Sequence, residues 1–470
     1  MNRFELLTKN QVEQIHEASL HILEKVGVDF YYPPALEVFK KAGAKVDHNR
    51  VFFSPWLVEE QIKKAPEQFR LYARNPEKDV VIGREHAAFV PGYGAPFVTD
   101  IDKGRRPALM ADYENFVKLT QASLHQDICS GVVVEPNDIP PELRHLQMLY
   151  STIKHSEKCF MGSSMGEKAA NDSIEMATIL FGSKEDLVEK PRMISVLNSL
   201  TPLKYESRML GAIMTYARAG QPILISSMAI IGVTAPVTLA GALALQNAEV
   251  LAGIALAQLV REGTPVVFSG ASSSAEMRTG MISAGSPEMA MNTMSTIQMA
   301  RYYHLPVRTG GAVSDAKIPD AQAGHESMMN MLMGLASGVN FVLHAAGILE
   351  SYNCMSYEKF IIDDEICAAL KRIKQTFEIN SETLAIDLIS DVGPGGQFLD
   401  KDHTYKYFKS EFYQPLLSDR DNYTNWFEKG SLQLSEKANG RWKEILANFD
   451  PPDLPAGIDK DLMRFLYKNR

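Results

Sequence analysis

The sequence predicts a (β/α)8 barrel, and three observations carry the prediction. Eight short apolar runs recur along the chain: AAFVPGYG from position 87, ICSGVVVEP from 128, CFMGSSMG from 159, RMISVLNS from 192, PILISSMA from 222, PVVFSGAS from 265, PVRTGG from 306 and VNFVLHAAG from 339. Each is followed by small or polar residues and then by a long amphipathic stretch. Successive starts lie roughly 30 to 45 residues apart, the length of one strand, one helix and two turns in a βα repeat. Chemistry in this fold sits at the C-terminal ends of the strands, so the runs also say where to look for a site.

Residues 1–85 precede the barrel and read as a helical extension packed on it, plugging its bottom. Thr8 can cap a helix whose apolar positions Val12, Ile15, Leu20, Ile22 and Leu23 follow a helical period and end near Gly27. A short β segment, VFFSP from 51, and a helix, PWLVEEQIKKA from 55, follow. The barrel occupies 86–380. Asp112 before YENFVKLTQASL reads as an N-cap, and Ser286-Pro287 as a cap with proline in the first helical position. Beyond 380 the strand signal stops, and 381–470 reads as a helical segment with a stiff linker, DPPDLPAG, from 450.

Bulk composition narrows the function. The 470 residues are 45% hydrophobic and 22% charged, as expected of a globular enzyme with a large core. A net charge of −9 without a basic block argues against nucleic acid or an anionic membrane as partner. The N-terminus has no apolar core of a secretory signal. The most apolar stretch, 235–260, is interrupted by Gln246, Asn247, Glu249 and Gln258, and reads as a buried barrel helix rather than a membrane span. Cys129, Cys159, Cys354 and Cys367 are widely spread with no CxxC pair, which predicts reduced thiols in a cytoplasmic protein.

At the strand ends stand Tyr93 and Phe97 after the first run, Glu135 after the second, and Ser163 and Ser164 after the third. Asn198 ends the fourth, and Ser226 and Ser227 the fifth. Ser269, Ser272, Ser273, Ser274 and Glu276 follow the sixth, and Gly310, Gly311 and Asp315 the seventh. His344 ends the eighth, ahead of a loop carrying Tyr352 and Tyr357. Each has a plain structural role open to it: Tyr93 could cover the rim, Asn198 cap a turn, and His344 be a core histidine bonded to a carbonyl. Their convergence on one face favours function. GxGxxG and P-loop patterns are absent, GSSMG at 162–166 lacks the nucleophile elbow's spacing, and no tight Cys/His set predicts zinc.

The segments LEKVGVDF, PGYGAPFVTD, VLNSLTPL, RTGGAVSDAKIPDAQAGHESM and LHAAGILES resemble the trimethylamine methyltransferase family. They are most similar to its members that lack pyrrolysine and act on quaternary amines, and the likeness spans nearly the whole chain. It implies methyl transfer from a quaternary amine (glycine betaine, carnitine, γ-butyrobetaine or proline betaine) to the Co(I) corrinoid of a separate protein docked at the barrel mouth. A homo-oligomer and no tightly bound metal are also expected. By that resemblance His344 and Asn198 are the catalytic candidates, and Tyr93, Asn198 and His344 surround the substrate. Phe97, Tyr352 and Tyr357 are candidates for an aromatic cage, and Gly310, Gly311 and Asp315 for contacts with the corrinoid. Two alternatives stand beside this: a non-catalytic barrel binding quaternary-ammonium osmolytes, and a corrinoid methyltransferase for another methylamine.

Overall fold

The computed structural model describes residues 3–469. Its centre is the expected barrel of eight parallel strands. They are β1 (Ala88–Val90), β2 (Ile128–Cys129), β3 (Cys159–Met161), β4 (Met193–Asn198), β5 (Ile223–Ser227), β6 (Val266–Gly270), β7 (Val307–Arg308) and β8 (Phe341–Leu343). Neighbours pair in the order β1-β8-β7-β6-β5-β4-β3-β2. Side chains alternate by the strand period of two. Val90, Met161, Ile194, Val196, Leu224, Val267, Phe341 and Leu343 fill the barrel interior, whereas Phe89, Phe160, Met193, Ile225, Phe268, Val307 and Val342 face the helices. Asp127 spans the remaining gap between β1 and β2. Its N–H donates to Phe89 O (2.7 Å) and its carboxylate accepts the Phe89 N–H (2.8 Å).

The helices after the strands are α1 (Met110–Ala122), α2 (Pro141–His155), α3 (Glu167–Phe181), α4 (Ser207–Arg218), α5 (Leu239–Val260), α6 (Pro287–Tyr302), α7 (Ala321–Ser337) and α8 (Tyr357–Lys374). Helix α6 starts as expected, with Ser286 Oγ accepting the Met289 N–H and Pro287 at the first position. Helix α1 does not start at Asp112. Leu109 is its N-cap, and Asp112 lies inside the first turn, where its carboxylate accepts the Leu109 N–H (3.0 Å) and Arg106 Nη2 (2.8 Å).

Helix α5 is long and apolar enough to cross a membrane, but 83% of that stretch is buried within the protein. Its polar residues survive burial because each finds partners. Asn247 Nδ2 donates to Ser19 Oγ (2.9 Å) and Tyr303 Oη (2.8 Å). Glu249 accepts Thr201 Oγ1 (2.9 Å) and the Leu203 N–H (2.7 Å).

The segment before the barrel mixes helices with strands. Thr8 caps Lys9–His21 in a box with Gln11, and helices Pro33–Lys41 and Pro55–Ile62 follow. The barrel bottom is closed by a β-hairpin, Gln68–Leu71 against Val80–Gly83, whose Phe69, Leu71 and Ile82 join the interior cluster. Alternation over only four residues per strand was too short to stand out in the sequence. After α8 come α9 (Ser381–Leu384), α10 (Ile386–Val392), α11 (Asp402–Glu411), α12 (Tyr423–Glu428), α13 (Leu434–Ala447) and α14 (Ala456–Lys468). Of these, α13 packs on α8 and α1, and α14 on α3 and α2.

Candidate active site

Strand β7 is two residues long, and its pleat turns Val307 to the helices and Arg308 into the barrel. Arg308 is 4% exposed. Its Nη1 makes one long bond to Ser269 Oγ (3.4 Å), and Ser269 in turn donates to Ser226 Oγ (3.1 Å). Arg308 Nε is buried without a partner, and no carboxylate pairs with the guanidinium among the described residues. Burial lowers its pKa to about 10, which leaves it charged at neutral pH. The sequence reading missed this residue. The available signal was a single charged residue inside an apolar strand run.

His344 follows β8 in the left-handed region (φ 64°) and is 6% exposed. Its Nδ1 accepts the backbone N–H of Tyr93 at 3.2 Å. Burial, with the positive charge of Arg308 next, pushes its pKa well below the usual value. The ring is therefore neutral, with its one proton on Nε2. No group among the described residues bonds to that Nε2. Gly311 (φ 123°) makes this placement possible. A Cβ there would lie 2.4 Å from Leu343 O and 3.1 Å from His344 Cβ.

Tyr93 reaches from the end of β1 to the end of β3, where its Oη is hydrogen-bonded to Ser164 Oγ (3.2 Å). Its ring packs on the apolar interior of the barrel and on the cluster above it. Burial, and then the nearby Glu135 carboxylate, raise the phenol pKa.

Tyr352 closes the other side, its ring 4.9 Å from that of His344 and tilted by 60°. Its hydroxyl is buried without a partner, and burial raises its pKa to about 12. It ends a run of three non-glycine residues in the left-handed region: Glu350 (φ 53°), Ser351 (φ 51°) and Tyr352 (φ 79°). Such backbone costs on the order of 1–2 kcal/mol per residue and persists only where its surroundings impose it. Here they do. The N–H groups of Glu350 and Ser351 donate to Ala316 O and Ser314 O (both 3.0 Å). Ser351 Oγ donates to Asp315 (2.6 Å), and Arg105 Nε to Glu350 (2.9 Å).

Asp315 is thus the hub of the SDAK segment. Besides Ser351 it accepts the N–H groups of Ala284 (2.9 Å) and Gly285 (3.0 Å), so it ties together the loops after β6, β7 and β8. Glu326 supports it by accepting Ser314 Oγ (2.6 Å) and the Asp315 N–H (2.9 Å).

The remaining expected residues divide. Asn198 ends β4 with its side chain exposed at the mouth and no hydrogen bond among the described residues. Phe97 sits on a strand beside the mouth, its ring covered by the Arg105 guanidinium at 3.7 Å. Tyr357 lies in the core between helices: it stacks on Phe116 (4.4 Å), meets Trp442 (4.6 Å) and donates to Asp112 (2.9 Å). The structure therefore brings Tyr93, His344 and Tyr352 together with Arg308, and leaves Phe97 and Tyr357 among other partners.

All 470 residues match the trimethylamine methyltransferase (MTTB) family. A glycine betaine methyltransferase of Desulfitobacterium hafniense (strain Y51) is 51% identical over 99% of this chain and 97% of its own length. A proline betaine:corrinoid methyltransferase of Eubacterium limosum is 32% identical over 98% and 96%. A trimethylamine methyltransferase of Desulfitobacterium hafniense (strain DSM 10664 / DCB-2) is 31% identical over 94% and 90%. Among solved structures, the Methanosarcina barkeri monomethylamine methyltransferase superposes with a TM-score of 0.56 at 12% identity, over 96% of this chain and 90% of that one, a likeness of fold. The chain belongs to the trimethylamine methyltransferase family.

Proposed function

From that membership we propose that this protein transfers a methyl group from a betaine to the Co(I) corrinoid of a separate protein. The observation that carries the choice of a betaine is Arg308, a buried guanidinium with no carboxylate partner among the described residues. An unpaired buried charge is costly, and a partner carboxylate with additional hydrogen bonds offsets the cost. The unpartnered Nε2–H of His344 and hydroxyl of Tyr352 lie in the same part of the barrel and provide those bonds. Trimethylamine has no carboxylate to offer them. Glycine betaine is the first substrate to test, because it is the one named for the relative that is 51% identical.

At the other end, the face of Tyr93 holds the trimethylammonium by cation–π attraction of roughly 0.5–2 kcal/mol, with Asn198 at the rim. The acceptor corrinoid supplies the electron pair that attacks the methyl carbon in line with the C–N bond. The nitrogen departs with the C–N electrons as a neutral tertiary amine, so no side chain has to protonate it. What this chain contributes is alignment, which needs a rigid pocket rather than an acid or base. Gly310, Gly311 and Asp315 enter this reading by shaping the β7 side of the mouth, Asp315 by holding its loops. Exposed apolar residues around the mouth, among them Met165, Leu200, Met228, Val237 and Met277, suit a docked carrier protein.

Incubation with glycine betaine and the reduced corrinoid protein tests the proposal. The expected result is loss of the Co(I) absorbance with one dimethylglycine formed per cobalt. Tight betaine binding with no dimethylglycine would favour the osmolyte-binding barrel, and turnover of trimethylamine in place of betaine would overturn the carboxylate assignment.

A further inference from the structure

Helix α8 leads directly out of the Tyr352 loop, and Ser356 Oγ caps it by accepting the Lys359 N–H (3.2 Å). Lys359, Asp363, Cys367 and Leu370 form one buried stripe along it at helical spacing. The stripe is apolar except at its start, which carries an ion pair. Lys359 Nζ lies 2.6 Å from Asp363 Oδ2, and each side chain is 1% exposed. Such a pair is a poor device for stability alone. Burial raises the pKa of Asp363 and lowers that of Lys359, the mark of a desolvation that the attraction between them has to offset. Apolar side chains of similar volume commonly serve such a position as well or better. What apolar chains lack is a directional bond to the backbone.

The bonds of this pair go to the mouth. Lys359 Nζ places its three donors on Asp363 Oδ2, on Ala312 O (2.8 Å) and on Ser327 Oγ (2.7 Å) of α7. Asp363 Oδ2 also accepts the Gly347 N–H (2.8 Å). No other bond to Ala312 O or to the Gly347 N–H occurs among the described residues. Ala312 belongs to the loop after β7 and Gly347 to the loop after β8, and His344 is held between them. The Ala312 N–H donates to His344 O (2.8 Å), so the residue that Lys359 anchors is itself bonded to His344. Gly311 lies so close to Leu343 O and His344 that a shift of Ala312 is passed on to them. Asp315 ties the two loops farther out, at Ser351; the α8 pair ties them at His344.

We propose that Lys359 and Asp363 are positioning residues for methyl transfer, an ion pair that fixes the spacing of the β7 and β8 loops and with it the place of His344. The inference rests on the betaine reading above, in which His344 Nε2 and Arg308 hold the carboxylate while the methyl carbon stands in line with the attacking electron pair. Arg308 still pairs with the carboxylate when His344 moves, so loosening these loops lowers alignment more than affinity. A misplacement of about 1 Å is enough to slow a reaction about a hundredfold.

Two double variants test this, because removing one partner alone strands the other charge in the core and can unfold the protein. Lys359→Met with Asp363→Leu keeps the volume and deletes both loop bonds. Lys359→Gln with Asp363→Asn keeps an acceptor for Gly347 and a donor for Ala312 that is one bond shorter. Titration calorimetry with glycine betaine counts the folded sites and gives their affinity, so kcat is stated per site. Per site, kcat should fall at least about tenfold in the apolar pair and about threefold in the amide pair, with Kd within about threefold of wild type. Hydrogen exchange adds a readout that needs no substrate. The N–H groups of Tyr93 and Ala312 are both bonded to His344, and neither is touched by the substitutions. Peptides spanning them should exchange at least about tenfold faster in the apolar pair while β5 is unchanged.

A kcat per site within about twofold of wild type in whichever pair folds, or faster exchange shared equally by β5, would reduce Lys359 and Asp363 to a role in the fold and overturn the proposal. Failure of both pairs to fold would do the same. If the wild-type protein does not demethylate glycine betaine, the functional reading falls, and exchange at Tyr93 and Ala312 still decides whether the pair places His344.

Discussion

The backbone N–H of Tyr93 donates to Nδ1 of His344 at 3.2 Å, so the turn after β1 fixes the tautomer of the residue after β8. The imidazole can then only donate through Nε2, beside a guanidinium with no carboxylate partner among the described residues. A histidine that the family resemblance offers only as a catalytic candidate is, in the fold, a hydrogen-bond donor of fixed tautomer.

His344→Asn separates the two uses of the ring. Asparagine tolerates the left-handed backbone and can keep an acceptor near Tyr93 N–H, but it lacks the reach of Nε2. Turnover of glycine betaine should fall by about one to two decades in kcat/KM, the loss of a hydrogen bond to a charged group of about 1.5–3 kcal/mol. Choline, which has no carboxylate, should be a poor substrate for both proteins and lose little further. Equal losses on the two substrates would show that His344 does not address the carboxylate.

Arg308→Met should move stability and activity in opposite directions. Removing an unpaired buried charge and filling the space with an apolar chain should raise the melting temperature of the ligand-free protein. Betaine binding should weaken by roughly 3 kcal/mol or more, measured by titration calorimetry, because the substrate carboxylate is left buried and unpaired. A variant that loses stability instead would mean that the guanidinium already has a compensating partner.

The pH dependence follows from the same pair. The folded pKa of His344 is depressed, so its stability contribution is complete above the unfolded value near 6.5 and is lost as pH falls below it. No limb in kcat/KM for betaine should appear near 6.5. Arg308 loses its proton at about 10, so betaine kcat/KM should fall above that pH. Choline should show no such alkaline limb. A betaine profile with a limb at 6–7 would identify His344 as a titrating base.

Ser351 tests the left-handed turn that presents Tyr352. Ser351→Ala removes the bond to Asp315 and keeps the backbone strain, whereas Ser351→Gly removes the same bond and relieves the strain. The alanine variant should be less stable than the glycine variant by about 1 kcal/mol in denaturant titration. Both should raise KM for betaine more than they lower kcat. Equal stabilities would show that the turn is not strained.

The barrel was legible because its strands are apolar runs and its helices amphipathic, both signals local to a few residues. All eight runs hold a strand, and the Ser286-Pro287 cap lies where the sequence puts it. The bottom hairpin was hidden by its brevity. At the candidate site, Tyr93, Asn198 and His344 are named as expectations from their positions at strand ends and from family resemblance. Tyr352 and Tyr357, five residues apart, could not be told from one another.

By itself the sequence determined the repeat, the end of the barrel at which this fold places its sites, and which residues stand at its strand ends. Tertiary structure alone decided that Arg308 faces inward without an acid, that His344 donates through Nε2, and that Tyr352 enters the mouth while Tyr357 enters a helix core. The physical reason is range. Strand and helix propensity are written in neighbouring residues, whereas charge compensation, tautomer and side-chain direction depend on groups hundreds of positions away, as Tyr93 is from His344.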